Sequence, residues 1–87
     1  MLKSTNNGFH ITFANGFTVS VQWSSSSYVH GYGGSTYALF GGEAANAEVA
    51  FWKDGGPLIH KDEWGDCVKG WMSPDEVVAF LAEVAAM

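Results

Sequence analysis

Three histidines, one cysteine, nine carboxylates and four lysines are the side chains here that could carry acid–base, nucleophilic or metal chemistry. Their spacing limits what that chemistry can be. Zinc sites draw ligands from matched pairs a few residues apart. His10, His30 and His60 form no such pair with one another or with Cys67, and His60 with Asp62 and Cys67 is the nearest approach to one. No metal and no cofactor is expected. A catalytic serine needs a base and an orienting group held at hydrogen-bond distance. The run Ser24 to Ser27 before His30 offers no rigid frame, and no strand–turn–helix surrounds a nucleophile. Cys67 reads as a small buried hydrophobe. Asp75 and Glu76 are explained by helix capping, and Asp62, Glu63 and Asp66 by an acidic surface turn. An enzyme is therefore not expected.

Binding is better represented. Residues 24–36 read as a long Ser/Gly/Tyr loop between patterned segments, and loops of that length in small domains are usually functional or disordered. Tyrosine supplies broad amphipathic contact at low entropic cost, while serine and glycine adapt. Tyr28, His30, Tyr32 and Tyr37 are the candidate contacts. Gly31-Tyr32-Gly33-Gly34 lacks the lysine and following helix of a phosphate loop. Trp64 sits in the acidic turn, where a core position is not expected, and Trp52 lies opposite the Val49/Phe51 face of its strand. Exposure of both would create an apolar patch calling for a partner or a homo-oligomer.

Charge narrows the partners. The chain carries no arginine and a net charge of −5. Nucleic-acid binding draws on phosphate neutralisation by Lys and Arg, so no nucleic acid is expected. A small nucleotide ligand, sequestered between subunits, would need Lys53, Lys61 or Lys69 to meet its phosphates. No stretch approaches the roughly 20 apolar residues of a membrane helix. Residues 1–8 contain no apolar signal segment, and a lone cysteine suits a reducing cytoplasm.

The elements that would position these residues follow from periodicity. Phe9, Ile11 and Phe13 alternate with polar neighbours, as do Phe17, Val19, Val21 and Trp23, predicting a hairpin over 9–23. A two-residue Asn-Gly turn would set every apolar side chain beside a polar one. A three-residue loop, Ala14-Asn15-Gly16, pairs Phe13 with Phe17, Ile11 with Val19 and Phe9 with Val21, and puts Gly16 in a left-handed bulge. Further strands are expected at 37–40, 47–52, 58–60 and 67–71, after a loose polar arm at 1–8. Ser73-Pro74-Asp75-Glu76 combines an N-cap serine, a first-turn proline and a capping-box glutamate. Val77, Phe80, Leu81 and Val84 then follow helical spacing to about residue 86. The expectation is one α+β domain over 1–87. An antiparallel sheet of about four to five strands, starting with the 9–23 hairpin, packs against one C-terminal helix at about 74–86.

Three segments, Ile-Thr-Phe-Ala-Asn-Gly-Phe-Thr-Val-Ser-Val-Gln-Trp (11–23), Ala-Glu-Val-Ala (47–50) and Gly-Trp-Met-Ser-Pro-Asp-Glu-Val (70–77), resemble small, functionally unassigned accessory proteins of tailed bacteriophages. The resemblance leaves 24–46 uncovered and transfers no functional residue. It implies a setting in the host cytoplasm and a role in binding a host factor, such as an antiviral defence protein or its nucleotide signal. The leading expectation is a non-enzymatic inhibitor of a host protein. A homo-oligomeric nucleotide sponge and a structural accessory protein are the alternatives.

Overall fold

A computed structural model describes residues 1–5, 7–23 and 45–87. Those residues form a five-stranded antiparallel sheet, in the spatial order of the sequence, and one C-terminal helix, an α+β fold. The strands are β1 (Leu2–Thr5), β2 (Gly8–Thr12), β3 (Phe17–Gln22), β4 (Ala47–Lys53) and β5 (Val68–Met72), followed by α1 (Pro74–Ala85). The expected strand at 37–40 lies outside the described residues.

The β2–β3 register is the one that apolar matching demands, with Phe9 opposite Val21 and Ile11 opposite Val19. Phe13 N–H donates to Phe17 O at 2.8 Å, and Gly16 N–H closes the turn on Phe13 O at 3.0 Å. Gly16 has φ +91°, and a Cβ there would stand 2.4 Å from Asp54 Oδ1. The left-handed backbone favours glycine, whereas the crowding comes only from the movable Asp54 carboxylate.

Two expectations are corrected. Residues 2–5 are an edge strand rather than a loose arm, paired from Leu2 opposite Ile11 to Thr5 opposite Gly8. The exposed backbone groups of β2 need partners, and the polar N-terminal residues supply them with main-chain atoms alone. Met1 and Thr12 exchange two 2.8 Å bonds at the far end. Residues 58–60 are not a strand. Pairing of β4 with β5 ends at Ala50 opposite Val68, and Ile59 N–H takes the next carbonyl, Phe51 O, at 2.9 Å. Pro57 offers no donor to extend this contact.

One face of the sheet contributes Val19, Val21, Val49 and Phe51 to the core, and α1 covers it with Phe80 and Val84. The Phe51 and Phe80 rings meet edge to face at 5.4 Å. Both ends of the helix are fastened. At the start, Ser73 Oγ accepts from Glu76 N–H at 3.2 Å and Ser73 N–H donates to Glu76 Oε1 at 2.9 Å, the capping box read from the sequence. At the end, no basic residue occupies the last turn. Asn15, in the hairpin loop, donates through Nδ2 to Val84 O at 2.9 Å, with Ala85 O and Met87 O each at 3.3 Å. Its Oδ1 accepts from Phe17 N–H at 3.0 Å. One side chain thus shapes the turn and adds a donor to the carbonyls at the end of the helix, where Val84 O also accepts from Met87 N–H at 3.1 Å.

Two outcomes follow. Asn15→Ala should lower stability by about 1–2 kcal/mol, the scale of a cap or a buried-acceptor bond. Asn15→Asp, isosteric but without a donor and with a charge at the negative helix end, should melt lower still. The Ser73 backbone N–H, then its hydroxyl, hold the Glu76 carboxyl below its ordinary range, with Lys69 adding to the effect. A carboxyl depressed in the fold contributes fully above its unfolded pKa and loses that contribution as pH falls through the folded value. Thermal melts taken from neutral into acid should therefore fall less steeply for Glu76→Gln than for the natural chain.

Candidate functional site

The second face of the sheet points away from α1. Across it run His10, Ser20 and Ala50 in one row, Thr12, Thr18 and Trp52 in another, and Gly8, Gln22 and Glu48 in a third. Thr12 Oγ1 and Thr18 Oγ1 share a 2.9 Å hydrogen bond. Thr5 Oγ1 donates to Gln22 Oε1, and Gln22 Nε2 to Ser20 Oγ, each at 3.0 Å. The Trp52 ring stands edge to face with His10, centroids 5.2 Å apart. Thr18 is only 9% and Glu48 only 8% exposed. This face carries two short hydrogen-bonded groups, Thr5–Gln22–Ser20 and Thr12–Thr18, with one aromatic pair beside them.

Trp52 occupies the expected face, but half-buried against His10. Trp64 departs from expectation. It packs against the core, 5.1 Å from the Phe80 ring and 6.0 Å from that of Phe51. The acidic turn folds back to allow this. Trp64 N–H bonds to Lys61 O at 2.9 Å, and Gly65 adopts φ +66°. Lys61 reaches Glu63 beside it and Glu83 Oε2 on α1 at 3.2 Å, which ties the turn down and raises the ammonium pKa, chiefly through the Glu63 bond. Trp52 and Trp64 therefore lie on opposite faces and form no common patch.

The three lysines considered for phosphate do not converge either. Lys53 Nζ lies 5.2 Å over the Phe17 ring, Lys61 is bound to its two glutamates, and Lys69 on β5 sits near Glu76. His60 Nδ1 is 3.3 Å from Asp62 Oδ1. Among the described residues no three His, Cys, Asp or Glu side chains gather as a metal site would require. Tyr28, His30, Tyr32 and Tyr37 lie outside the described residues.

A tryptophan not singled out by the sequence reading stands out instead. Ala47 pairs with Met72 and Val49 with Lys69, so Gly70 and Trp71 together oppose the single residue Glu48. That extra residue is a β-bulge, and Trp71 takes its left-handed position at φ +58°. An L-residue there is strained by roughly 1–2 kcal/mol. The indole gains little burial in return, since Trp71 is 60% exposed. Strain without local packing is a pointer to function. The only sequence trace was a glycine inside a strand pattern, a bulge signal. Trp71 also adjoins Met72, opposite Ala47, and so occupies the end of the sheet where the chain leaves β3 after Gln22 and enters β4.

No protein family, no curated protein and no solved structure matches this chain.

The two tryptophans should separate cleanly. Trp64→Ala removes a half-buried ring from the core rim and should cost roughly 2–4 kcal/mol in chemical denaturation. Trp71→Gly relieves a left-handed L-residue and should leave the midpoint unchanged or higher.

Proposed function

We propose that this chain is a non-enzymatic binding protein that inhibits a host protein, in the manner expected of a phage accessory protein, through a surface centred on Trp71. Trp71 itself supports the reading most. It is a large exposed aromatic on an edge strand, held in a conformation that folding alone does not favour. Tryptophan dominates the energetics of protein interfaces when a partner desolvates it. Asp75 and Glu76 are exposed in the first turn of α1 a few residues on, in a chain whose net charge is −5. A partner with a basic contact surface is therefore favoured, through faster encounter and through cation–π contact with the indole. Tyr28, Tyr32 and Tyr37 are the sequence's further candidates for the same role.

The test begins with native mass spectrometry of the protein purified from a bacterial host, followed by affinity measurements on the retained partner. A retained host protein bound at least about tenfold more weakly by Trp71→Gly, the loss typical of an interface hot spot, supports the reading. Removal of residues 25–34 should likewise weaken binding while the melting temperature holds. A partner that binds both variants undiminished contradicts the proposed surface. A bound mass of a few hundred daltons per subunit, in the range of small nucleotides, would instead favour the sponge. A bare oligomer would favour an assembly role.

A further inference from the structure

The first hairpin places an asparagine directly before a glycine, at Asn15–Gly16. In such a pair the glycine backbone nitrogen can attack the asparagine side-chain carbonyl carbon, because glycine presents no Cβ to obstruct the approach. A bond forms between Gly16 N and Asn15 Cγ, and the Cγ–Nδ2 bond breaks. Ammonia leaves, carrying the proton that the glycine nitrogen gives up. Water then opens the cyclic imide at either carbonyl, leaving an aspartate or an isoaspartyl linkage at position 15.

In the fold, both reacting groups are engaged elsewhere. Gly16 N–H donates to Phe13 O. Asn15 Oδ1 accepts from Phe17 N–H, and Nδ2, on the leaving group, is held by the carbonyls at the end of α1. Ring closure requires the carboxamide to swing away from these partners onto Gly16 N, so the reaction must pass through local opening of the turn. We propose that Asn15–Gly16 is a site of spontaneous deamidation, restrained by the fold, whose product releases the C-terminal end of α1. A carboxylate has no proton to donate to Val84 O and adds like charge at the negative end of the helix. An isoaspartyl linkage also lengthens the main chain in the loop that sets the β2–β3 register. Each conversion is one-way, so the docked helix has an intrinsic lifetime set by how often the turn opens.

The chain contains its own control. Asn7 also precedes a glycine, Gly8, and its side chain makes no hydrogen bond among the described residues. The full chain is aged at neutral and mildly alkaline pH, in native buffer and in denaturing urea. Conversion at both positions is then read by peptide mass mapping. In native buffer Asn15 should convert at least about tenfold more slowly than in urea, the factor expected when its bonds must open first. It should also convert more slowly than Asn7 in native buffer, the gap closing in urea. Equal Asn15 rates in the two solvents overturn the restraint. The fraction converted at Asn15, separated by charge and returned to native buffer, should melt below the amide form. Identical melting overturns the release of the helix.

Discussion

The contact of Phe80 and Val84 with Val19, Val49 and Phe51 is the constraint on which the rest of this structure depends. A five-stranded sheet cannot bury its own apolar face, and the described chain provides one helix to cover it. Among the described residues Val19, Val49 and Val84 are the most completely buried of the larger side chains, each contributing about 1.5–3 kcal/mol relative to exposure. With so few, the orientation of the helix is critical. Its first turn follows β5 almost without a linker and is fixed by the Ser73–Glu76 capping box. Its last turn is fixed from the other end of the chain, by Asn15. The same aromatic contact captures Trp64, so the acidic turn closes the side of the core instead of presenting a ring to a partner.

The candidate surface is a consequence of this closure. Ser73 must cap the helix where it meets the sheet, and Met72 must reach the core. Between Met72 and Lys69 the strand carries one residue more than β4 can pair, and the surplus emerges as the Gly70–Trp71 bulge. The Trp71 backbone is thus fixed by paired neighbours on both sides while its indole remains exposed. The second sheet face has the opposite character: its side chains bond chiefly to one another, and Trp52 rests against His10. It provides a platform more than a point of contact.

Much of the fold was legible in the residues because the relevant forces are local or strictly periodic. Phe9, Ile11, Phe13, Phe17, Val19 and Val21 determine a register, since opposed residues share a face and a one-residue slip exposes them all. Ser73, Pro74 and Glu76 determine a helix start within four residues. What was not legible depends on distant partners. β1 has an ordinary polar composition, and only the open edge of β2 makes it a strand. Trp64 looks like a surface residue until Phe51 and Phe80 are brought beside it. The helix-capping role of Asn15 spans 69 residues of sequence. Less of the site could be read. Trp52 was placed on its correct face, but Trp71 acquires its left-handed backbone from cross-strand register, which no local window contains.

If α1 closes the core of the sheet, helix and sheet should open together. Native-state hydrogen exchange measures this directly, by comparing the slowest amides of β3 and β4 with those of α1 around Phe80 and Val84. Closure of the core by α1 requires them to share one opening free energy, equal to that of global unfolding. Amides of α1 that exchange far faster than those of Val19 and Val49 would show that the sheet stands without its helix, and would contradict it.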